Sequence, residues 1–412
     1  MTIRERYAFP DEPECVELRA FTHGLMPKSV PTMMERFTED WRRFGVDAWN
    51  EVPNHWRPNS GDAVGWWTLP EYLGDEFIAP LLDAASGTCI LQPNVHWTVQ
   101  CLLSAPELTD RGSEVVLTAL EFPSVLHSVQ QWNDLIDLTP TIVDPSPDGF
   151  VDREGVLEAI GPDTAVVMLS HVGFTSGERL TDAFLQRVAE TAHAHDALFI
   201  IDGYHSAATF PINVEALGAD VYLGGLLKEA SGSSGNSFVY LRPGLELTPR
   251  LTGWFGDADP FGFADSPEAH PEVRKRFMGG TTAVASMYHA VEGLRILLDA
   301  GLDVVRGRSL DLSSYAIERA DEADLPLRSP RPTERRSAMV ILEVDEAHRL
   351  CEYLKAEHAI YTDSRKNQYL RMAPFVWNTR SEIERTFDAI TAARQSGAYR
   401  DFQSESSAGP VT

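Results

Sequence analysis

The middle of the chain alternates short apolar runs with stretches of helical spacing. Glu114–Thr118 (EVVLT), Thr164–Ser170 (TAVVMLS), Ala197–Asp202 (ALFIID), Val221–Gly224 (VYLG) and Phe238–Leu241 (FVYL) carry almost no polar alternation. Runs of this kind suit strands buried on both faces. Between two of them, Thr181–His195 places Phe184, Val188 and Ala192 on one face at helical spacing. Strands separated by helices predict an α/β fold built on a parallel sheet covered on both sides.

The pattern changes at residues 243–280, which are loop-rich, with many Gly and Pro and the aromatics Trp254, Phe255 and Phe261. So long a loop inside a domain predicts a functional segment. A helical stretch, Met287–Ala300, and a Pro/Arg-rich break, Leu325–Arg336, follow. The C-terminal part reads as an α+β unit: strand Ala338–Glu343, helix Glu346–Glu357, strand Tyr369–Met372 and helix Ser381–Arg394. The expected division is an N-terminal segment (1–45) packing on the small domain, a large domain (46–285), a small domain (286–400) and a polar flexible tail (401–412).

Charge narrows the function classes. Thirty-five basic and 61 acidic residues leave a net charge of −26 in 412 residues. Such a surface repels phosphate backbones and anionic lipid, against a nucleic-acid or membrane partner. No apolar run approaches the ~18 residues of a membrane span, and the first residues lack the apolar core of a signal peptide. The four cysteines, Cys15, Cys89, Cys101 and Cys351, form no CxxC pair, against a zinc module or disulfide scaffold. No metal site is expected, and a reducing, cytoplasmic setting is the default. The chain has no G-x-G-x-x-G after a strand, no G-x-x-x-x-G-K-[ST], no H-E-x-x-H and no G-x-S-x-G. His193 and His195, two apart on a helix, fall on different faces and read as surface residues.

The chemistry concentrates in Leu198–Leu241. One apolar strand ends in Asp202, His205 follows, and a second strand leads to Lys228. In open α/β sheets, ligands collect at the carboxyl ends of strands. A lysine and a carboxylate there match the needs of pyridoxal 5'-phosphate (PLP): an amine to form a Schiff base and an acid to keep the pyridine nitrogen protonated. Small and apolar neighbours ease deprotonation of the lysine.

With Asp202-Gly-Tyr-His205, Lys228, Gly253-Trp-Phe-Gly256 and Leu370-Arg-Met-Ala-Pro374 followed by Asn378, the chain resembles the class V aminotransferase family of fold-type I PLP enzymes over residues 20 to 395, most closely its kynureninase group. The resemblance implies a PLP-dependent transferase fold, with a mainly parallel seven-stranded sheet and a smaller α+β domain. It gives Lys228 and Asp202 the catalytic roles. Phe122 becomes the ring that stacks on the pyridine, Ser170 a cofactor-side hydroxyl and His205 a cofactor contact. Leu91 and Gln92 match the turn and helix start that hold the phosphate. Trp254 matches an indole N–H that reaches the phosphate. Thr281 and Thr282 match a segment reaching the neighbouring subunit's phosphate, so a homodimer with an interfacial active site is implied. Arg371 matches the fork that grips the substrate α-carboxylate, and His96 a substrate-pocket residue.

Two departures stand out. Leu227 occupies the place of a tyrosine that precedes the lysine in kynureninases, and Met278-Gly-Gly precedes Thr281 without the family's asparagine. The expected activity is Cα deprotonation of an L-amino acid and cleavage of a side-chain bond, as in kynureninase-like hydrolases and lyases, in a specialised, biosynthetic setting. Transamination, decarboxylation-linked deamination and a non-catalytic PLP-fold binding protein are the alternatives. Cysteine desulfuration fits less well, because Cys351 falls in a predicted helix. Specificity is expected from the 243–280 loop, His96 and Trp66-Trp67.

Overall fold

A computed structural model describes residues 2–10 and 14–402; most of the expected tail lies outside them. Seven strands form the main sheet: β1 (Cys89–Gln92), β2 (Glu114–Thr118), β3 (Thr139–Val143), β4 (Thr164–Ser170), β5 (Leu198–Asp202), β6 (Val221–Gly225) and β7 (Ser237–Leu241). Their order is β1-β7-β6-β5-β4-β2-β3. β7 runs antiparallel to β6 and β1, and the other pairings are parallel. β4, β5, β6 and β7 are buried along almost their whole length, which is why their sequences show no polar alternation. The exposed pattern of β3, Thr139–Val143, is that of an edge strand, and its sequence gave no strand signal.

The helix after β4 is Asp182–Ala194, burying Phe184, Val188 and Ala192 as its spacing predicts. Apolar layers on the two faces of the sheet form two separate clusters. Helices Val284–Ala290 and Glu292–Ala300 replace the single stretch expected there, and both belong to the first cluster. A third cluster joins helices Leu302–Glu322, Ala347–His358 and Arg380–Ser396 to a three-stranded sheet, Val340–Glu343, Tyr369–Met372 and Asp363–Arg365. Val16 and Leu18 from the N-terminal segment enter this cluster. A capping box, Thr379 with Glu382, starts the last long helix. No helix among the described residues is long and apolar enough to cross a membrane.

Candidate active site

The parallel register aligns the carboxyl ends of neighbouring strands. Asp202 pairs with Ser170 across β5 and β4, and with Leu223 across β5 and β6. The turn after β6 carries Leu227 and Lys228. A cavity of about 330 Å³ opens above these ends, within the size range of small-molecule sites.

Lys228 Nζ lies 2.7 Å from His205 Nε2 and 4.4 Å from the centre of the Tyr204 ring. Burial drives the amine's proton affinity down, opposed by the charges of Glu229 and Asp202. Burial likewise holds His205 far below the ordinary imidazole range, helped by the Lys228 charge. A neutral His205 therefore accepts at Nε2 from the lysine. Its buried Nδ1 has no hydrogen-bond partner among the described residues.

Asp202 is buried, which raises its pKa; one carboxylate oxygen accepts from the Tyr204 N–H at 2.9 Å and draws it back. Phe122 is 46% exposed and lines the cavity, edge-on to Phe174 at 5.4 Å. A phenylalanine left uncovered on a cavity wall is available to a flat ligand rather than to the core.

Arg371 is 2% exposed and sits opposite Asp363 in the small sheet. Its Nη2 donates to Asp363 Oδ2 at 2.5 Å and its Nη1 to the Phe174 carbonyl at 2.5 Å, while the guanidinium packs 4.5 Å from the Phe21 ring. Arg365 pairs with the other oxygen of Asp363 at 2.5 Å. Both arginines line the cavity. Two cations against one carboxylate leave one positive charge there for an anionic ligand.

The structure gathers Lys228, Asp202, His205, Phe122, Ser170, Arg371 and His96 around this one cavity. Leu91 and Gln92 do not reach it. Both are buried in β1, and neither polar atom of the Gln92 side chain finds a partner among the described residues. The helix start falls farther along, at Val95, with Asn94 capping the Trp97 N–H at 2.8 Å. Asn94, Val95 and His96 line the cavity, so the helix start that faces it lies three residues beyond Gln92. The Asn cap three residues before Trp97 was the sequence signal for that shift.

Trp254 is 36% exposed and outside the cavity, and its indole N–H is donated to the Pro260 carbonyl. It packs with Trp67, Phe255, Phe261 and Phe263. Trp66 is buried against Tyr288. Neither Trp66, Trp67 nor the 243–280 segment contributes to the cavity wall, contrary to the expected specificity surface. Thr281 is exposed, and the buried Thr282 hydroxyl has no partner.

Cavity residues not anticipated from sequence include Phe21, Thr22, Phe174, Tyr204 and Arg365. Phe21 and Thr22 arrive from the distant N-terminal segment, and no local pattern marks them. Tyr204 stood inside the quoted Asp-Gly-Tyr-His run, but only the fold turns its ring onto the lysine.

The family model for class V aminotransferases matches residues 97–363. The chain belongs to that family. The uncharacterized aminotransferase YcbU of Bacillus subtilis (strain 168) is 29% identical over 325 residues, 78% of this chain and 83% of its own length. The kynureninase of Geobacillus thermodenitrificans (strain NG80-2) is 24% identical over 418 residues, 98% of this chain and 93% of its own. In three dimensions, the cysteine desulfurase from Thermococcus onnurineus NA1 superimposes with a TM-score of 0.80 at 19% identity, covering 96% of this chain and 98% of that one. That likeness establishes the fold-type I architecture.

As a member of this family the chain is a PLP-dependent enzyme, and the cavity fits the cofactor. An amine is held by a histidine whose other ring nitrogen is unpaired among the described residues, a carboxylate ends β5, a ring lies open on the wall, and a capped helix start can receive an anion. The desulfurase-like fold does not bring a thiol: no cysteine lines the cavity, and all four are buried. Cys351 lies in a helix, as expected, and burial pushes its thiol up to about 12, the opposite of an activated nucleophile.

Proposed function

We propose that the enzyme acts on an L-amino acid and cleaves a side-chain bond in the manner of kynureninase-like hydrolases and lyases. The observation that carries the reading is the convergence of Lys228, Asp202 and Arg371 on one partly apolar cavity. Bound PLP supplies the electron sink that weakens the bonds at the substrate Cα.

The chain's own residues do the rest. Asp202 places a buried negative charge where a ring nitrogen needs a proton. Phe122 covers the face of a flat ring. Asn94–His96 present the helix start to the phosphate. Lys228 holds the cofactor and moves the Cα proton at Nζ, because burial makes its amine easy to deprotonate and His205 can accept its hydrogen. Arg371, with Arg365 sharing Asp363, holds the substrate carboxylate and thereby fixes which Cα bond is aligned for cleavage. Val95, Val99, Val172, Phe174 and Leu227 give an apolar wall for the substrate side chain.

The enzyme works as a homodimer in this reading. Trp254, Thr281 and Thr282 lie outside the cavity of their own chain, which is what residues serving a neighbour's site require. A cytoplasmic location accords with the burial of all four cysteines, none placed in a CxxC pair.

The test mixes PLP-loaded protein with L-kynurenine, and follows the visible spectrum and the products by mass spectrometry. Catalytic release of anthranilate and alanine is expected. A PLP band without those products overturns the kynureninase-like reading and leaves transamination or decarboxylation-linked deamination. The first would appear as stoichiometric conversion of the cofactor to its amine form, the second as carbon dioxide. Similarity to the B. subtilis aminotransferase supports the first of these alternatives. Retained turnover in Lys228→Ala would overturn the mechanism itself.

A further inference from the structure

Behind the cavity wall, at the carboxyl ends of β2 and β4, lies a carboxylate that the mechanism above does not use. Glu121 is 4% exposed. One oxygen accepts from the Thr118 hydroxyl at 2.6 Å. The other accepts both the Ser170 backbone N–H, at 2.8 Å, and the Ser170 hydroxyl. Three donors converge on one buried acidic side chain, and among the described residues no basic side chain pairs with it. Ser170 lines the cavity next to Asp202, whereas Glu121 does not reach the cavity.

The geometry has a chemical consequence. A serine hydroxyl has one hydrogen to give and can otherwise only accept. With that hydrogen committed to Glu121, the oxygen turns lone pairs toward the cavity. We infer that Glu121 is a positioning residue for the cofactor pocket: it fixes the Ser170 hydroxyl as an acceptor, so that the ligand group facing Ser170 must be an O–H or N–H donor. This rests on the reading of the cavity as a PLP site and extends it to a residue that touches no ligand. Burial, with the nearby Asp202 charge, pushes the Glu121 carboxyl up to about 7 despite its donors. Above that pH it accepts all three hydrogens. Replacing it with an apolar group would free the Ser170 hydrogen to rotate.

The experiment measures PLP affinity and the position of the visible band for Ser170→Ala in several backgrounds, at a pH of about 8, where Glu121 is ionised. In the wild-type background Ser170→Ala should weaken PLP binding about tenfold, the size of one buried hydrogen bond. In a Glu121→Leu background the same change should alter affinity by less than about twofold, because the hydroxyl is no longer aimed. In a Glu121→Gln background the tenfold loss should return, since the amide oxygen still accepts from Ser170. If Glu121→Leu does not fold, Glu121→Asp replaces it: the charge stays, but the shorter side chain cannot span to Ser170. An equal Ser170→Ala effect in every background overturns the inference while leaving the PLP site intact. A wild-type protein with no PLP band that depends on Lys228 overturns the cofactor site itself.

Discussion

The strand ends of the main sheet and the 243–282 segment both carry residues that the family resemblance ties to the cofactor, yet they are built differently. Asp202, Ser170, His205 and Lys228 are held by β4, β5 and β6, whose parallel register places them side by side within one chain. Neighbouring side chains hold them: His205 against Lys228, Ser170 against Glu121, and Tyr204 over the amine. Trp254 opens a short 3-10 turn, and Thr281 and Thr282 stand on irregular backbone, all outside the cavity. The first region is finished by the fold of a single chain. The second packs on its own aromatic cluster, with Trp254 against Trp67, Phe255, Phe261 and Phe263, and adds nothing to the cavity wall.

The largest effect should come from the finished region. Lys228→Ala is expected to lower turnover at least about 10³-fold and abolish the PLP-dependent visible band; an absorbance titration with PLP checks this. Arg371→Lys keeps a charge beside Asp363 but loses the fork, and kcat/KM should fall about 100-fold. Steady-state kinetics with the identified amino acid would show it, and a fall confined to kcat would argue against a carboxylate grip.

Gly225 tests how tightly the strand ends are packed. A Cβ there would meet the Tyr204 ring at 2.2 Å. Gly225→Ala should therefore destabilise the fold by about 2 kcal/mol and push Tyr204 off the lysine, read by urea denaturation and by weaker PLP binding. For the second region, Trp254→Ala should leave the urea midpoint nearly unchanged. It should weaken PLP binding about fivefold and shift any dimer toward monomer, the energy of roughly one aromatic contact. Equilibrium sedimentation at two PLP concentrations measures both; loss of stability without either change would place Trp254 in the structural core instead.

A separate test concerns pH dependence. His171 lies buried beneath the strand ends, and burial holds it down to about 3 from an ordinary 6.5. The unfolded chain binds this proton first, so stability is present above about pH 6.5 and is lost as pH falls toward 3. His205 adds in the same direction. Each such group contributes a slope of up to about 1.4 kcal/mol per pH unit. Denaturant melts of the cofactor-free protein across that window should show stability rising with pH; a flat profile would mean that the histidines are already solvated in the folded state.

Much of this was legible without coordinates. The apolar runs at β4, β5 and β6 are buried on both faces, and burial on both faces is what removes polar alternation from a sequence. Asp202 and Lys228 follow those runs directly, so their place at the strand ends was readable as well. Local chain direction fixed them: Asp202 is the last residue of β5, and Lys228 stands three residues past the end of β6. The edge strand β3, with its mixed burial, left no such trace. Where the buried strand β1 adjoins the helix start at Val95, the Asn94 cap is the local mark of the border.

Tertiary structure alone decided the rest. The sheet order brings Glu121 under Ser170, across 49 positions of chain. The packing of the C-terminal sheet carries Arg371 to the Phe174 carbonyl across 197. Phe21 and Thr22 join the cavity wall from near the N-terminus. These contacts depend on how the elements dock, and docking follows from burying apolar faces against one another, a property of the whole chain rather than of any local pattern.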